Sequence, residues 1–287
     1  MENLTAIVKL YRGDKGYFAK VLEKRLRLAL EELKDYTGLV KDEIKQVQKI
    51  AANIKGLPNK IEFEDAQDTK AFKAGISSSG DLAEELDRIL HNLVTSIDNQ
   101  LEDLAAWEVL LKDKQNAHNA LHNQWLMLHN LYHELQPQVK HIAQLYKQWL
   151  TGWEELEKDY DVQRDKEVLE LKVKTSLRIA VDIHDNNKVA WRQMKYLSDE
   201  CGWLLKKFVD GEYTNVPGLC KLVTIEEVAA KDYSLSPGRY VGVDASADVD
   251  QDWEEKLQTI HIEIDILNAE AILLAKAVSD NYKSLSL

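Results

Sequence analysis

Apolar residues recur at helical spacing along most of this 287-residue chain. Leu4, Ile7, Val8 and Tyr11 share one face, so a short amphipathic helix opens the sequence. Arg12-Gly13-Asp14-Lys15-Gly16 breaks it, and a second helix follows with Leu22, Leu26, Ala29, Leu30 and Leu33 on one side. Residues 57–80 contain Pro58, Gly75 and Ser77-Ser78-Ser79-Gly80 without a sustained period, which predicts a linker or loop. Asp81 then caps a long helix whose face runs Leu82, Leu86, Ile89, Leu90, Leu93, Ile97, Leu101, Leu104 and Leu111. The same style continues from Asn116 to Thr151, where Pro137 predicts a kink or boundary near Gln136. Two further helical stretches follow, from Trp153 to about Leu177 and from about Lys188 to Val209, ended by Asp210-Gly211.

The pattern changes at Gly211. Pro217-Gly218 and Pro237-Gly238 each place Pro then Gly at the centre of a turn, the type II signature, and Arg239 and Tyr240 follow the second pair. Lys221-Leu222-Val223 and Tyr240-Val241-Gly242-Val243 read as short extended pieces. Thr224-Ile225-Glu226-Glu227 is a capping box that starts a short helix. The last helix carries an unbroken heptad seam: Trp253, Leu257, Ile260, Ile264, Leu267, Ala271, Leu274 and Val278 alternate steps of four and three. Ile262, Ile266, Ala269, Ile272 and Leu273 widen the apolar surface, so this helix needs neighbours on more than one side.

The expected fold is all-α: long antiparallel helices, a small mixed turn and strand module near 211–243, and a C-terminal coiled-coil-like helix. Five segments follow, 1–56 (basic helix pair), 57–80 (linker), 81–210 (long-helix bundle), 211–243 (Pro-Gly turn module) and 244–287 (acidic stretch and heptad helix). Composition agrees, because 12 Gly and 4 Pro are too few for the turns of a sandwich or barrel. A 45% hydrophobic content excludes a disordered chain.

The net charge of −12 opposes indiscriminate binding to phosphate backbones. One stretch runs against it: Lys9, Arg12, Lys15, Lys20, Lys24, Arg25 and Arg27 face only Asp14 and Glu23, and form a candidate DNA-facing patch whose plainer reading is a solvated helix face. Cys201 and Cys220 are too few for a disulfide framework, the first residues do not form a signal peptide, and no apolar run is long enough to span a membrane. The expected location is the cytoplasm.

Motifs for chemistry fail one after another. His118, His122, His129 and His133 lie within about 80° of one another on a helix, and the two i, i+4 pairs have metal-ligand spacing. Pro137 stands where a zincin's second histidine is needed, so a polar, partly packed stripe is the preferred reading. Asp248, Asp250 and Asp252 imitate an EF-hand start, but Trp253 and Thr259 replace the required Gly and Glu; these acids suit a helix N-terminus. No two glycines are two residues apart, which removes the dinucleotide fingerprint and the usual glycine-rich loop for S-adenosylmethionine (SAM). No catalytic residue and no cofactor-binding residue is assigned.

The string Gly211-Glu212-Tyr213-Thr214-Asn215-Val216-Pro217-Gly218-Leu219-Cys220-Lys221, then Thr224-Ile225-Glu226-Glu227-Val228, then Leu235-Ser236-Pro237-Gly238-Arg239-Tyr240-Val241-Gly242, resembles the C-terminal region of the modification subunit of type I restriction–modification systems. Asn3 to Gly13 is similar to that family's segment just after the catalytic domain, a weaker match. The resemblance implies an adenine-N6 DNA methyltransferase subunit that uses SAM and joins a DNA-specificity subunit. The family's Asn/Asp-Pro-Pro-Phe/Tyr tetrapeptide is absent here, since Pro58, Pro137, Pro217 and Pro237 are never adjacent.

The chain therefore resembles the part after the catalytic domain, and the family's catalytic residues have no counterparts in it. What transfers is assembly: packing against helical regions of the specificity subunit through Trp253, Leu257, Ile260, Ile264, Leu267 and Leu274, with DNA reached through the complex and a separate catalytic chain as a further partner. Two other classes compete, a free-standing helical scaffold that retains the motif and a metalloenzyme built on the histidine stripe.

Overall fold

The computed structural model describes residues 2–61, 63–105, 117–162 and 165–243, and beyond them 257, 260, 261, 264, 268, 271, 272 and 274–276. The all-α expectation holds: no strand or sheet occurs among the described residues, and an isolated β-bridge joins Val216 and Cys220. The helices are α1 (Glu2–Tyr11), α2 (Lys15–Lys55), α3 (Ala66–Ala105), α4 (Ala117–Asp159), α5 (Lys166–Leu171), α6 (Val173–Lys207), α7 (Ile225–Ala229) and α8 (Gly238–Val241). Two compact units result, Lys24–Ser198 and a second formed by Met1–Glu23 with Asp199–Leu287. This division departs from the segments expected at 56, 80 and 210, because residues 24–55 of α2 belong with α3, α4 and α6.

The Lys24–Ser198 unit is an antiparallel four-helix bundle whose order follows from its side-chain pairs. Lys41 pairs with Asp98 at 2.9 Å and Gln48 donates to Asp87 at 2.9 Å, so α2 rises as α3 falls. Trp149 Nε1 donates to Ser79 Oγ at 2.7 Å, and His141 Nε2 lies 3.4 Å from Glu85, the same relation between α3 and α4. Arg178 reaches Glu154 at 2.5 Å and Trp191 Nε1 donates to Gln136 at 2.7 Å, setting α6 against α4. Tyr36 packs on Trp191 with ring centroids 5.1 Å apart, which returns α6 to α2. Each helix turns an apolar stripe inward. Trp149, Trp153 and Trp191 are among the largest fully buried side chains, and each contributes on the order of 2–3 kcal/mol of burial.

In the other unit, Ala6, Ile7 and Leu10 of α1 are buried with Phe18, Val21, Leu22, Cys201, Leu204, Leu205 and Phe208. Asn3 donates to Glu200 at 2.6 Å, and Cys201 Sγ lies 3.8 Å from the Leu22 carbonyl oxygen. The first helix thus buries a face rotated from the one expected. Ile7 is inside, whereas Leu4, Val8 and Tyr11 are exposed. Ala6 and Leu10 share helical spacing with Ile7 as well, so the period alone permitted either face.

The linker expected over 57–80 is a correction of greater size. Among the described residues of this stretch only 56–61 and 63–65 leave the α-helical path, with a 3-10 turn at Leu57–Asn59, and Gly75 and Ser77-Ser78-Ser79-Gly80 lie inside α3. Phe72, Ile76, Ser79, Ala83 and Leu86 form the buried stripe there. Small residues serve close packing: a Cβ placed at Gly75 would stand 2.4 Å from Leu156 Cδ1, and Ser79 receives the Trp149 indole. Asp81 is accordingly interior to α3 and caps nothing. Pro137 makes no boundary, since α4 continues through it with Leu135 and Val139 buried on either side. The break falls later, after Asp159. Asp165 caps α5 by accepting from the Glu167 amide at 2.8 Å, and Lys172 at φ 48° separates α5 from α6.

Candidate functional site

Residues 211–243 form an ordered shell rather than a core. Gly218 at φ +75° and the Leu219 amide, which donates to the Val216 carbonyl at 3.0 Å, make the expected turn at Pro217-Gly218. Gly218 also donates to the Val241 carbonyl at 2.9 Å, joining the two Pro-Gly elements. The capping box is complete. Thr224 Oγ1 accepts from the Glu227 amide at 3.2 Å, and Glu227 accepts from the Thr224 amide at 3.1 Å. The ammonium of Lys221, together with that amide, holds the Glu227 carboxyl below the usual carboxylate range.

Two expectations for this module fail. Pro237-Gly238 opens the short helix α8 instead of a type II turn, with Pro237 already at helical φ/ψ, and neither Lys221–Val223 nor Tyr240–Val243 forms a strand. A strand needs a partner along its length, and here the Leu222 amide donates to the Asn215 side chain at 2.8 Å instead. Arg239 is exposed and tied to the module: its Nη1 donates to the Lys231 carbonyl at 3.4 Å, and Lys231 Nζ donates to the Arg239 carbonyl. Tyr240 donates its hydroxyl to the Ser234 carbonyl.

This shell sits on the unit that holds α1. Tyr213 stacks near Phe208, centroids 6.2 Å apart, and meets Tyr11 edge to face at 5.3 Å. Lys15 bonds Glu212. Burial, and then the hydrogen bond with Cys220, pushes the Tyr213 hydroxyl up to about 12. Leu222, Ile225, Tyr233, Leu235 and Val243 remain exposed. The module thus leaves apolar side chains uncovered on its surface.

The heptad helix supplies a second such surface. Leu257, Ile260, Ile264, Ala271 and Leu274 are helical and exposed, with Leu257 64% and Leu274 59% accessible. Trp253, Leu267 and Val278 of the seam, and the acids Asp248, Asp250 and Asp252, lie outside the described residues. Exposure of the described seam residues Leu257, Ile260, Ile264 and Leu274 carries a cost in water.

The basic candidates lie along α1, the turn after it and α2. Lys9 lies 4.0 Å from Asp14 and over the Tyr17 ring at 5.9 Å. Arg25 is buried, Arg27 half-buried, and Arg12, Lys20 and Lys24 are exposed. Lys9, Arg12 and Lys20 belong to one unit, whereas Lys24, Arg25 and Arg27 belong to the other. The histidines stay together. His122 packs against Trp125 at 5.5 Å, Trp125 against His129 at 5.2 Å, and His129 against His133 at 4.4 Å. Among the described residues no three His, Cys, Asp or Glu side chains form a metal-ligating group.

One cluster escaped the sequence reading. Glu43 of α2, 1% exposed, accepts from His184 Nδ1 at 3.1 Å, Asn187 Nδ2 at 2.6 Å and the Tyr146 hydroxyl at 3.3 Å. Burial, and after it the Glu43 carboxylate, raises the hydroxyls of Tyr36 and Tyr146 above the ordinary tyrosine range. The signal was available: Glu43 occupies the buried stripe Tyr36, Val40, Glu43, Val47, Ile50, where a carboxylate is rare without partners. His184 is 2% exposed, so this carboxylate–histidine pair is closed to solvent, and its bonds tie α2 to α4 and α6.

Among the described residues no helix is long and apolar enough to cross a membrane. Comparisons with protein-family models, with curated proteins and with solved structures find no match to this chain.

Proposed function

We propose that this chain is the assembly part of a type I restriction–modification DNA methyltransferase, resembling the C-terminal region of the modification subunit, and that it binds the DNA-specificity subunit in the cytoplasm. The observation that carries the reading is the shared unit of Asn3–Gly13 and Gly211–Gly242. These are the two stretches that resemble the family, and although most of the chain lies between them, Tyr11 and Tyr213 bring them into contact. A chain that merely kept scattered motif residues has no reason to pack them together.

The exposed seam Leu257, Ile260, Ile264 and Leu274 supports the same reading, as the face that a helix of the specificity subunit covers. Adenine-N6 methylation and SAM belong to the complete family subunit; this chain has neither the Pro-Pro tetrapeptide nor a G-x-G loop to supply them. DNA is reached through the complex, and a separate catalytic chain is its further partner. The competing scaffold reading predicts no affinity for specificity subunits. Co-expression with a type I specificity subunit, followed by size-exclusion chromatography, separates the two. The proposal expects a co-eluting complex, and independent elution of both chains favours the scaffold.

A further inference from the structure

We infer that His129 and His133 form a two-imidazole chelate for a divalent ion of the nickel, copper and zinc class. The two side chains stand one helical turn apart on α4, and their ring centroids lie 4.4 Å apart with an interplanar angle of 70°. With metal–nitrogen bonds of about 2.0–2.1 Å, two imidazoles sharing one ion hold their centres roughly 4.5–5 Å apart. The present separation lies just below that range, so a chelate needs the rings to part by a few tenths of an ångström, about 0.1–0.6 Å, with one nitrogen of each turned toward a common point. Spacing of i, i+4 alone did not supply this, because long helices carry many such pairs whose rings never meet.

The surroundings favour an ion. His133 is exposed and His129 half-buried, so an ion approaches from solvent without crossing the bundle. Buried Trp125 lies 5.2 Å from the His129 ring and buried Tyr132 lies 5.5 Å from the His133 ring, and this packing restricts the rotamers each histidine must lose on binding. Imidazole nitrogen suits copper, nickel and zinc, whereas calcium and magnesium require oxygen ligands. Since no third ligating side chain joins the pair among the described residues, water fills the remaining positions. The inference is independent of the methyltransferase reading.

The test is calorimetric titration of the tag-free, full-length chain with nickel chloride, paired with the spectrum of bound copper. The expected result is one equivalent bound in the micromolar range, weakened on the order of tenfold or more by His133→Gln, and unchanged by His122→Gln or His141→Gln. Copper should show nitrogen coupling from two imidazoles. His133 is exposed, so circular dichroism of His133→Gln should match the parent. Absence of a stoichiometric site, or a site that survives His133→Gln or is lost with His122→Gln, overturns the inference.

Discussion

Tyr11 and Tyr213 meet edge to face, with ring centroids 5.3 Å apart, and so join the first helix to the segment that follows the bundle. Neither ring is deeply buried, and the contact is reinforced by Phe208 beside Tyr213 and by the Lys15–Glu212 ion pair. An edge-to-face pair contributes about 0.5–1.5 kcal/mol beyond its area burial. Tyr11→Leu and Tyr213→Leu should each loosen the unit, and a double-mutant cycle should return a coupling of that size. Hydrogen exchange of the α1 amides measures it; zero coupling would mean the rings touch without holding the segments together.

Glu43 and its three donors make a different prediction. Glu43→Ala leaves the donors of His184, Asn187 and Tyr146 facing a cavity, which should cost about 3–5 kcal/mol of bundle stability. The double substitution Glu43→Leu with His184→Leu removes the carboxylate and one donor but leaves Asn187 Nδ2 and the Tyr146 hydroxyl without it, so it should recover only part of that loss. Urea denaturation followed by tryptophan fluorescence checks the order of stabilities. If the double variant is the less stable one, the expectation fails.

Gly75 tests the closeness of α3 and α4. Alanine is the better helix former by about 1 kcal/mol, yet its Cβ would stand 2.4 Å from Leu156 Cδ1. Gly75→Ala should therefore gain nothing in the parent and should stabilise by up to about 1 kcal/mol in a Leu156→Ala background. Thermal melts of the four proteins decide this.

The long stripes were legible where the helix was ordinary. Leu22, Leu26, Ala29, Leu30 and Leu33 were placed on one face from spacing alone, and all five are buried. The stretch from Gly75 to Gly80 was not legible, because serine and glycine signal a loop locally while serving tight helix contact globally; Ser79 is explained only by a tryptophan 70 positions away. The capping box at Thr224 and Glu227 was read correctly because both partners lie within one turn. The Glu43 network was missed for the opposite reason, since its donors are brought together from α4 and α6.

The capping box also has a pH signature. The Glu227 carboxyl is held below its ordinary value, chiefly by the hydrogen bond from Lys221 and next by the Thr224 amide. A depressed carboxyl contributes stability above the ordinary glutamate value of about 4.3 and loses it as pH falls through the lowered folded value. Exchange protection of the α7 amides should therefore be steady from neutrality to about pH 5 and should fall below it. Glu227→Gln should remove that acidic dependence.

The exposed seam of the last helix is where the proposed assembly meets its partner. Leu257 and Ile264 both face water in the isolated chain, so Leu257→Asp with Ile264→Asp should leave its circular dichroism and melting temperature unchanged. The decisive measurement is the affinity of that variant for a type I specificity subunit, beside the parent and a Lys276→Asp control. Assembly through the seam predicts parental affinity for the control and a loss on the order of a hundredfold or more for the double variant. Equal affinity in all three would contradict it.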